Sequence, residues 1–505
     1  MHSQPKAVDW SELLRRVASW REAGRRVVHC HGVFDLLHIG HIRYLQRARQ
    51  LGDVLVVTVT PDHSVNKGPH RPAFNEQLRL EAVAALDCVD AAALNGWPTA
   101  RETILALRPA IYAKGAEFRE NKTPELLAEE AAAADVGTQV CFVEELTSSS
   151  SQLINRYLSP FSESVEAYLA QLRGQYSLAE IVDCFHRSRM LRAVVVGEAM
   201  IDEYYSCSAI GQSMRAPIVS TRYRSHQRFA SGAIAVANHL GAFCQQVELL
   251  TMVGEQGEEE DWIRQRLRDN IRMTALRKSE SPTIVERRYR ESYFEVPLFA
   301  INFLNDTPLS AVQAPWLLDQ LNRLLPACDL VVVADYGHGM LVPDAIERLC
   351  QYPRFLAVTT QANAANFGLH TISKYRRCDY FSLAHRELEL ECRSHAPDPD
   401  SMLRSLAKRL GCSRAAVTLG QRGCLVIGTD AGRHAAPALA TRVVDRIGAG
   451  DAFFAVSALC AFHQTPLEIL AFLGNLAAAE TVSIVGNAER RAGDSLVRSV
   501  ESLLK

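Results

Sequence analysis

The chain has 505 residues, of which 48% are hydrophobic and 22% are charged, and its formal net charge at pH 7 is −2. These values are typical of a soluble globular protein with two or three domains. The balanced charge provides no basic field for nucleic acid, and no apolar run approaches the roughly 20 residues that a membrane-spanning helix needs. We therefore expect neither nucleic acid nor a membrane as a partner.

The N-terminus and the cysteines indicate a cytoplasmic protein. The opening stretch MHSQPKAVDWSELLRR lacks the basic and then apolar pattern of a secretory signal. The cysteines, 13 in all, are scattered without a C-x-x-C pair. We therefore expect them to be reduced thiols, mostly buried in apolar segments.

Alternating strands and helices predict a parallel, doubly wound α/β domain over residues 1–158. The predicted helices are Trp10–Trp20, Glu76–Leu86 and Leu126–Ala134. The predicted strands are Arg26–Cys30, Val54–Thr60, Ile111–Ala113 and Gln139–Val143. Ligands of such sheets bind beyond the carboxyl ends of the strands.

The stretch HGVFDLLHIGHIRYL, which starts at His31, lies at such a strand end. Gly32 allows a sharp turn and a close approach of the backbone to a ligand. His38 and His41 are three residues apart, so on a helix they share one face. Free N–H groups at a helix N-terminus favour anions, so two imidazoles beside that terminus predict a phosphate site.

Three later segments are expected at the same site. VNKGPHRPAFNEQLRLEAV carries Lys67 on a Gly/Pro-rich loop and Arg79 on the following helix, and a solvated basic turn is the alternative. IYAKGAEF places Lys114 directly after a strand, and surface charge is the alternative. TSSSSQLINRYL offers hydroxyl and N–H groups ahead of a helix, where ordinary N-capping is compatible with phosphate binding.

HGVFDLLHIGH resembles the G-x-F-D-x-x-H-x-G-H signature of cytidylyltransferase-like nucleotidyltransferases, and the run from Cys30 to Tyr157 resembles the nucleotidyltransferase half of bifunctional ADP-heptose synthases. The resemblance implies that a sugar-phosphate oxygen attacks the α-phosphate of ATP or CTP and displaces pyrophosphate. His38 and His41 would donate to phosphate oxygens, and Lys67 would hold the β/γ end with Mg²⁺. Implied nucleotide contacts are Gly32, Phe34, Lys114, Ser148, Ser149 and Ser150, and implied substrate contacts are Asp35 and Arg79. The serine segment lacks the arginine of the R-T-x-G-I-S-T-T motif, which disfavours the CTP–glycerol-phosphate branch.

Residues 159–190 form a predicted helical connector. Its two helix-like stretches, Ser162–Leu172 and Leu178–His186, are separated by Gly174. Their apolar spacing is amphipathic, so we expect them to pack on a neighbouring element.

Residues 191–505 form a second predicted α/β domain. LRAVVVGEAMIDEYY begins with a buried strand and places Asp202 just beyond it. Near the C-terminus, the turn Gly448-Ala449-Gly450 enters a long apolar helix, so several N–H groups point at a bound anion. Asp451 lies at the mouth of that helix, where a carboxylate can take the proton of an attacking hydroxyl.

VVDRIGAGDAF resembles the D-T-x-G-A-G-D signature of ribokinase-like (PfkB) sugar kinases, and the resemblance covers nearly all of the second domain. It implies a ribokinase-like fold, with Asp451 as the base. Implied substrate contacts are Asp202, Gly232 and Asp335; implied nucleotide contacts are Gly420, Gly448, Ala449, Gly450 and Asn475; Glu387 would serve Mg²⁺.

The second domain also departs from the family pattern. Ser231 replaces a glycine, Ala235 and Ala384 stand where asparagines are expected, and Arg446 replaces a threonine. The departures suggest a sugar other than heptose or weak phosphoryl transfer. DYGHGM and the asparagines of TTQANAANFG are candidates for substitute polar contacts, although turn asparagines are an equal explanation for the latter.

The two resemblances together imply a bifunctional enzyme that phosphorylates a sugar and then joins the sugar phosphate to a nucleotide. The ADP-heptose synthases carry the kinase first, so the domain order here is inverted. One alternative is a CTP-dependent enzyme that makes a CDP-sugar or CDP-alditol. Another is an active nucleotidyltransferase whose degenerate kinase domain serves as a sensor or scaffold. We expect sugar, sugar phosphate and nucleoside triphosphate as ligands, and a homo-oligomer.

Overall fold

The structure is a computed structural model that describes residues 5–65, 72–119, 123–143, 161–213, 217–293, 296–363, 366–394, 398–428, 432–486 and 493–504. The chain divides into two compact units, residues 1–160 and 161–504. All the cysteines carry free thiols. Among the described residues, no helix combines the length and apolar character needed to cross a bilayer.

The first unit is built on a five-stranded parallel sheet with the strand order β3-β2-β1-β4-β5. The strands are β1 (Val27–Gly32), β2 (Val54–Val59), β3 (Ala91–Leu94), β4 (Ile111–Gly115) and β5 (Gln139–Val143). The helices are α1 (Trp10–Glu22), α2 (Ile39–Arg49), α3 (Glu76–Ala84), α4 (Arg101–Leu107) and α5 (Pro124–Asp135). The predicted α/β class is confirmed. β3 was not predicted, because this four-residue, alanine-rich strand has a helix-forming composition. α4 was not predicted either.

Helices cover both faces of this sheet. On one face, Val28 and Leu55 pack in a core with Leu45 of α2. On the other, Val27 and Val56 pack in a core that contains residues of α1. The strand order reverses between β1 and β4, and the carboxyl ends of strands at such a reversal open a crevice for ligands. The signature loop follows β1 at this reversal, and Lys114, predicted directly after a strand, is the second-last residue of β4.

The second unit is built on a nine-stranded sheet with the order β10-β9-β6-β13-β14-β15-β16-β17-β18, parallel except at β16-β17-β18. Its strands are β6 (Arg192–Gly197), β9 (Gln246–Gly254), β10 (Ile271–Lys278), β13 (Leu330–Asp335), β14 (Phe355–Thr360), β15 (Tyr380–Ala384), β16 (Arg414–Thr418), β17 (Cys424–Gly428) and β18 (Arg433–Ala436). A separate four-stranded sheet has the order β12-β11-β7-β8. It consists of β7 (Ala199–Gln212), β8 (Val219–Gly232), β11 (Ile284–Glu291) and β12 (Pro297–Phe303).

The helices of the second unit begin with the two predicted in the connector. They are α6 (Glu163–Gln175), α7 (Leu178–Ser188), α8 (Ala233–Gly241), α9 (Glu260–Arg264), α10 (Ala314–Leu324), α11 (Pro343–Cys350), α12 (His385–Cys392), α13 (Pro399–Arg409), α14 (Ala449–Phe462), α15 (Leu467–Val482) and α16 (Gly493–Leu504). Leu169 of α6 and Phe185 of α7 are buried in the same core as Phe453 of α14. The connector helices are therefore part of the second unit's core.

Candidate active sites

The signature loop joins β1 to α2 through a backbone held in rare conformations. Phe34 and Leu36 both have positive φ, of 48° and 53°. Phe34 is buried, and a Cβ placed on Gly32 would lie 3.3 Å from its ring. Left-handed backbone at residues other than glycine costs about 1–3 kcal/mol each and is typical of functional sites.

Asp35 and Arg79 tie the loops of this site together beneath its surface. Asp35 is fully buried, and its Oδ1 accepts from the backbone N–H of Ala73 at 2.8 Å. The Arg79 guanidinium is 1% exposed and donates to the carbonyl oxygens of Val33 at 2.5 Å and Thr60 at 2.8 Å. Arg79 also pairs with the Asp62 carboxylate, with Nη2 2.7 Å from Oδ1. The prediction of substrate contacts is therefore corrected: both side chains bond groups of the chain itself and position the loops.

His38 and His41 stand together at the N-terminus of α2. His38 caps the helix, with its Nδ1 accepting from the Gly40 N–H at 3.0 Å. Because Nδ1 is an acceptor, the neutral ring carries its proton on Nε2. The two rings stack with centroids 4.0 Å apart, and the Phe34 ring meets His41 edge-on at 5.5 Å. Both imidazoles are partly exposed, so a phosphate can reach them beside the helix N-terminus.

Lys114 lies near the carboxyl end of β4, and its side chain is largely buried. Its Nζ lies 3.0 Å from Oε2 of Glu129, and its side chain is 13% exposed. Glu129 also accepts from the Tyr112 hydroxyl at 2.9 Å and the Ala100 N–H at 3.0 Å. The alternative of a surface charge is therefore wrong. The nucleotide contact stays a prediction.

A ladder of buried polar side chains supports the site from inside the sheet, and sequence reasoning missed it. His29 Nε2 lies 2.8 Å from Thr58 Oγ1, and His31 Nδ1 lies 2.9 Å from the same oxygen. His31 Nε2 then lies 3.2 Å from Thr60 Oγ1. Burial lowers the pKa of His29 well below 6.5 and that of His31 to about 3, with the Lys114 charge adding to both shifts. Both rings are therefore neutral at physiological pH.

Lys67, Ser148, Ser149 and Ser150 lie outside the described residues. Their predicted contacts with the nucleotide phosphates therefore stay predictions.

The second unit contains a cavity of about 330 Å³ at the N-terminus of α14. Both sheets contribute to its walls, and so do the ends of β14 and β15. Five predicted site residues line it: Asp202, Glu387, Gly448, Gly450 and Asp451. Three of the departures from the family pattern also line it: Ser231, Ala384 and Arg446.

Asp451 lies in the first turn of α14, directly after a tight glycine turn. Gly448 has φ +79° as the N-cap of this helix, a conformation that favours glycine. Asp451 Oδ1 accepts from the Tyr336 hydroxyl at 2.8 Å. Burial raises the pKa of Asp451 to about 7 and the Asp202 charge adds to the rise, while the Tyr336 hydrogen bond opposes it. A carboxyl with this pKa can accept a proton near neutral pH.

Glu387 is a second carboxyl in this cavity. Its Oε2 accepts from the Ala384 N–H at 2.6 Å and its Oε1 from the Ala362 N–H at 3.3 Å. Burial raises its pKa to about 7, and the Asp451 charge contributes. Each oxygen keeps a free lone pair for a hard cation. Among the described residues, no group of three or more His, Cys, Asp or Glu side chains could hold a metal ion by itself. Mg²⁺ commonly binds one or two carboxylates together with substrate phosphates, so this donor set fits it.

Several charged side chains from the four-stranded sheet line this cavity. Asp202 lies within β7, not beyond a strand end, and its Oδ1 contacts Arg288. Arg288 also contacts Glu286, with Nη2 2.5 Å from Oε2. Arg446 lines the same cavity. Two arginines therefore line this cavity.

Asp335 is not a substrate contact, and this prediction is corrected. The carboxylate is 1% exposed and is bonded by Lys374 Nζ and the Tyr375 hydroxyl, each at 2.6 Å. Its neighbour Tyr336 lines the cavity instead. Tyr336 directly follows β13, and this position at the carboxyl end of a buried strand is the sequence signal that could have identified it. Asp335, one residue earlier, is the last residue of the strand.

The remaining predicted residues have structural surroundings in the chain itself. Gly232 has φ +63° at the N-cap of α8, where a Cβ would lie 2.6 Å from the Glu198 carbonyl oxygen. Asn475 Nδ2 donates to the carbonyl oxygens of Ala436 and Pro437, at 3.3 and 3.2 Å. Gly420 has φ +61° in the turn between β16 and β17. Their contacts with substrate or nucleotide stay predictions, as does that of Ala449, the first residue of α14.

Two family models match the chain, one in each unit. The model described as pfkB family carbohydrate kinase matches residues 190–490, and the one described as Cytidylyltransferase-like matches residues 29–156.

Curated relatives resemble the first unit. Bifunctional protein HldE from Methylobacillus flagellatus is 44% identical over 119 residues, which are 23% of this chain and 24% of the relative. Bifunctional protein HldE from Syntrophotalea carbinolica is 38% identical over 146 residues, 28% of this chain and 29% of the relative. The matched part thus spans about a quarter of these relatives' length.

A solved structure resembles the second unit. A variant of phosphofructokinase-2 from Escherichia coli has a TM-score of 0.51 at 14% identity, covering 63% of this chain and 100% of that chain. At this identity the likeness shows a shared fold.

Proposed function

Because the chain belongs to the pfkB family of carbohydrate kinases and carries a cytidylyltransferase-like domain ahead of the kinase domain, we propose that it makes a nucleotide-activated sugar. The second unit would phosphorylate a sugar with ATP. The first would join a sugar phosphate to a nucleoside triphosphate and release pyrophosphate. An ADP-heptose-like product is the favoured form, since curated relatives that resemble the first unit are bifunctional proteins named HldE.

The observation that carries the nucleotidyl-transfer proposal is the stacked pair of imidazoles at the N-terminus of α2. A phosphate monoester is already an oxyanion, so its attack on the α-phosphorus needs no general base. The protein must position two anions and neutralise the charge that develops between them. The Nε2–H of His38 and the His41 ring would donate to phosphate oxygens as the pyrophosphate leaves.

Sugar phosphorylation is supported by the surroundings of Asp451. The carboxylate would take the proton of a sugar hydroxyl as that oxygen attacks the γ-phosphorus of ATP and ADP leaves. The N–H groups at the start of α14 would hold the phosphates. Glu387 would hold Mg²⁺, which when bound supplies positive charge to the phosphates. Asp202 and Arg288 would orient the sugar.

A second candidate function is a scaffold or sugar-phosphate sensor in the kinase unit. Two observations favour it. Ala384 has no side-chain ligand to offer in the cavity, and Glu387 already accepts a hydrogen bond from the Ala384 N–H at the N-terminus of α12. The intact glycine turn with Asp451 favours the kinase.

Self-association is proposed through the outer face of the four-stranded sheet. A row of aromatic rings crosses all four strands, with neighbouring centroids 4.6–5.9 Å apart. The row is Tyr223, Tyr205, Tyr289 and Phe299. Tyr223 and Phe299 are 55% and 52% exposed. Exposed apolar patches of this kind mark association surfaces, and a second copy of the chain is the proposed partner.

One set of assays tests both activities on the same preparations. ATP consumption is measured over a panel of sugars, and pyrophosphate release is measured with each nucleoside triphosphate and several sugar 1-phosphates. We expect His41→Ala to reduce pyrophosphate release at least ~100-fold, because a transition-state donor is lost, and to leave the kinase unchanged. Asp451→Ala should abolish sugar phosphorylation and leave nucleotidyl transfer unchanged.

The outcomes separate the candidates. Turnover with CTP instead of ATP selects the CDP-sugar alternative. If no sugar gives Asp451-dependent turnover, the second unit is a scaffold. Near-normal pyrophosphate release by His41→Ala contradicts the role of the paired rings.

A further inference from the structure

The Tyr336 side chain is part of the cavity wall, yet the motif that contains Asp451 lies more than a hundred residues away in the chain. Tyr336 is 3% exposed, and its hydroxyl donates to Oδ1 of Asp451 at 2.8 Å. Burial and the Asp451 charge raise the pKa of Tyr336 well above 10, so the phenol keeps its proton and acts as the donor. The hydrogen bond occupies one carboxylate oxygen and leaves the other for a second partner.

The backbone of Tyr336 is fixed on both sides by buried polar groups. Its N–H donates to Glu198 Oε2 at 3.0 Å. Its carbonyl oxygen accepts from Nδ2 of Asn363 at 3.1 Å and from Nδ2 of Asn366 at 2.8 Å. Asn363 and Asn366, the asparagines of TTQANAANFG, therefore hold this peptide group in place through their side chains. A phenol on so constrained a backbone has little freedom to follow Asp451 if the carboxylate turns.

We propose, on the basis of the proposed kinase function, that Tyr336 is a positioning residue that orients the Asp451 carboxylate, directs its Oδ2 toward the sugar hydroxyl, and favours the ionised base. The geometry supports this role because the buried phenol donates to Oδ1 of Asp451 and leaves Oδ2 for another partner. A hydrogen bond to the ionised form of a carboxyl stabilises that form against the desolvation that burial imposes.

The other charged groups around Asp451 come from different elements. Asp202 of β7 and Glu387 of α12 line the cavity with it, and so do Glu286 and Arg288 of β11 and Arg446. All of them remain in a Tyr336→Phe variant, which removes only one hydroxyl group. A change in the pH dependence of that variant therefore reports the lost hydrogen bond.

The test compares Tyr336→Phe with the full-length wild type. We expect kcat for sugar phosphorylation to fall about tenfold while KM for sugar and ATP stays within about twofold, since orientation and not binding is lost. The acid limb of the kcat–pH profile should move up by roughly 0.5–1 pH unit, because a hydrogen bond that lowers the pKa of the base is gone. Nucleotidyl transfer by the same preparation controls for the amount of protein, and the thermal unfolding transition of the variant controls for folding of the second unit.

Tyr375→Phe is the matched control. This buried phenol also donates to an aspartate, Asp335, at 2.6 Å, but Asp335 has other protein partners and the pair is not part of the proposed chemistry. The control should lower the melting temperature without moving the pH profile. A second variant, Tyr336→3-fluorotyrosine, keeps the ring and strengthens the donor, so its acid limb should move to lower pH.

A kcat–pH profile that coincides with wild type in Tyr336→Phe, or a loss confined to KM, overturns the proposal. Asp451→Asn separates this result from failure of the kinase function: if wild type turns over and Asp451→Asn does not, the function stands. If wild type shows no sugar turnover, thermal unfolding still tests the hydrogen bond. The melting-temperature difference between Tyr336→Phe and wild type should be larger at pH 8.5, where Asp451 is ionised, than at pH 5.5. An equal difference at both pH values overturns the proposal.

Discussion

Acid should unfold the first unit, because His29 and His31 must gain protons that the folded sheet excludes. His31 has a folded pKa of about 3 against an ordinary value of 6.5. Its folded pKa is depressed, so the unfolded chain binds more protons between these values. The neutral ring therefore contributes stability that is full above pH 6.5 and is lost as the pH falls toward 3.

The loss of stability at pH 5.0 follows from the difference between this pH and the pKa of the histidine in the unfolded chain. At 1.36 kcal/mol per pH unit, the 1.5 units between 6.5 and 5.0 cost about 2 kcal/mol for His31 alone. His29 shifts in the same direction, so it adds to this loss. A loss of this size is a large part of the stability of a typical domain.

The assay is hydrogen exchange by mass spectrometry on peptides that cover β1 and β2, at pH 7.5 and pH 5.0 after correction for intrinsic exchange. The measured quantity is the free energy of opening of those strands. In His31→Asn the amide can still bond Thr58 but cannot titrate. The decrease in the free energy of opening between pH 7.5 and pH 5.0 should therefore be about 2 kcal/mol smaller in this variant than in wild type. His63→Asn, which changes an exposed histidine of the same unit, should keep the wild-type loss. Equal losses in wild type and His31→Asn would refute the reasoning.

Two further predictions concern stability and assembly. Arg79→Met should destabilise the first unit by about 3 kcal/mol, because the carbonyl oxygens of Phe74, Val33 and Thr60 lose their donor and Asp62 loses its ion-pair partner. Thermal unfolding measures the loss. Arg43→Met on the exposed face of α2 is the control, and equal melting temperatures in the two variants would contradict the positioning role of Arg79. Sedimentation velocity should show wild type as an oligomer and Phe299→Asp as a monomer, since a charge in the aromatic row opposes its burial. A wild-type monomer at micromolar concentration would rule out that interface.

Local sequence patterns determined both the fold class and the approximate place of each site. The strand Gln139–Val143 was predicted to the residue, and α1 and α3 begin at the predicted residues Trp10 and Glu76. These features depend on periodicity, glycine turns and helix capping, which act over a few residues. The same local chemistry brought His38 and His41 together and placed Asp451 at a helix N-terminus.

Only the tertiary structure decided which polar side chains face ligand space and which face other parts of the chain. Asp335 and Tyr336 are adjacent in sequence, but Lys374 and Tyr375 enclose the first while the second reaches Asp451. Arg79 was predicted as a substrate contact, yet its guanidinium is bonded by carbonyl groups of separate loops and by the Asp62 carboxylate. These outcomes depend on strand order and register across tens to hundreds of residues. A sequence motif specifies its own turn, and the partner that meets that turn is selected by the packing of distant segments.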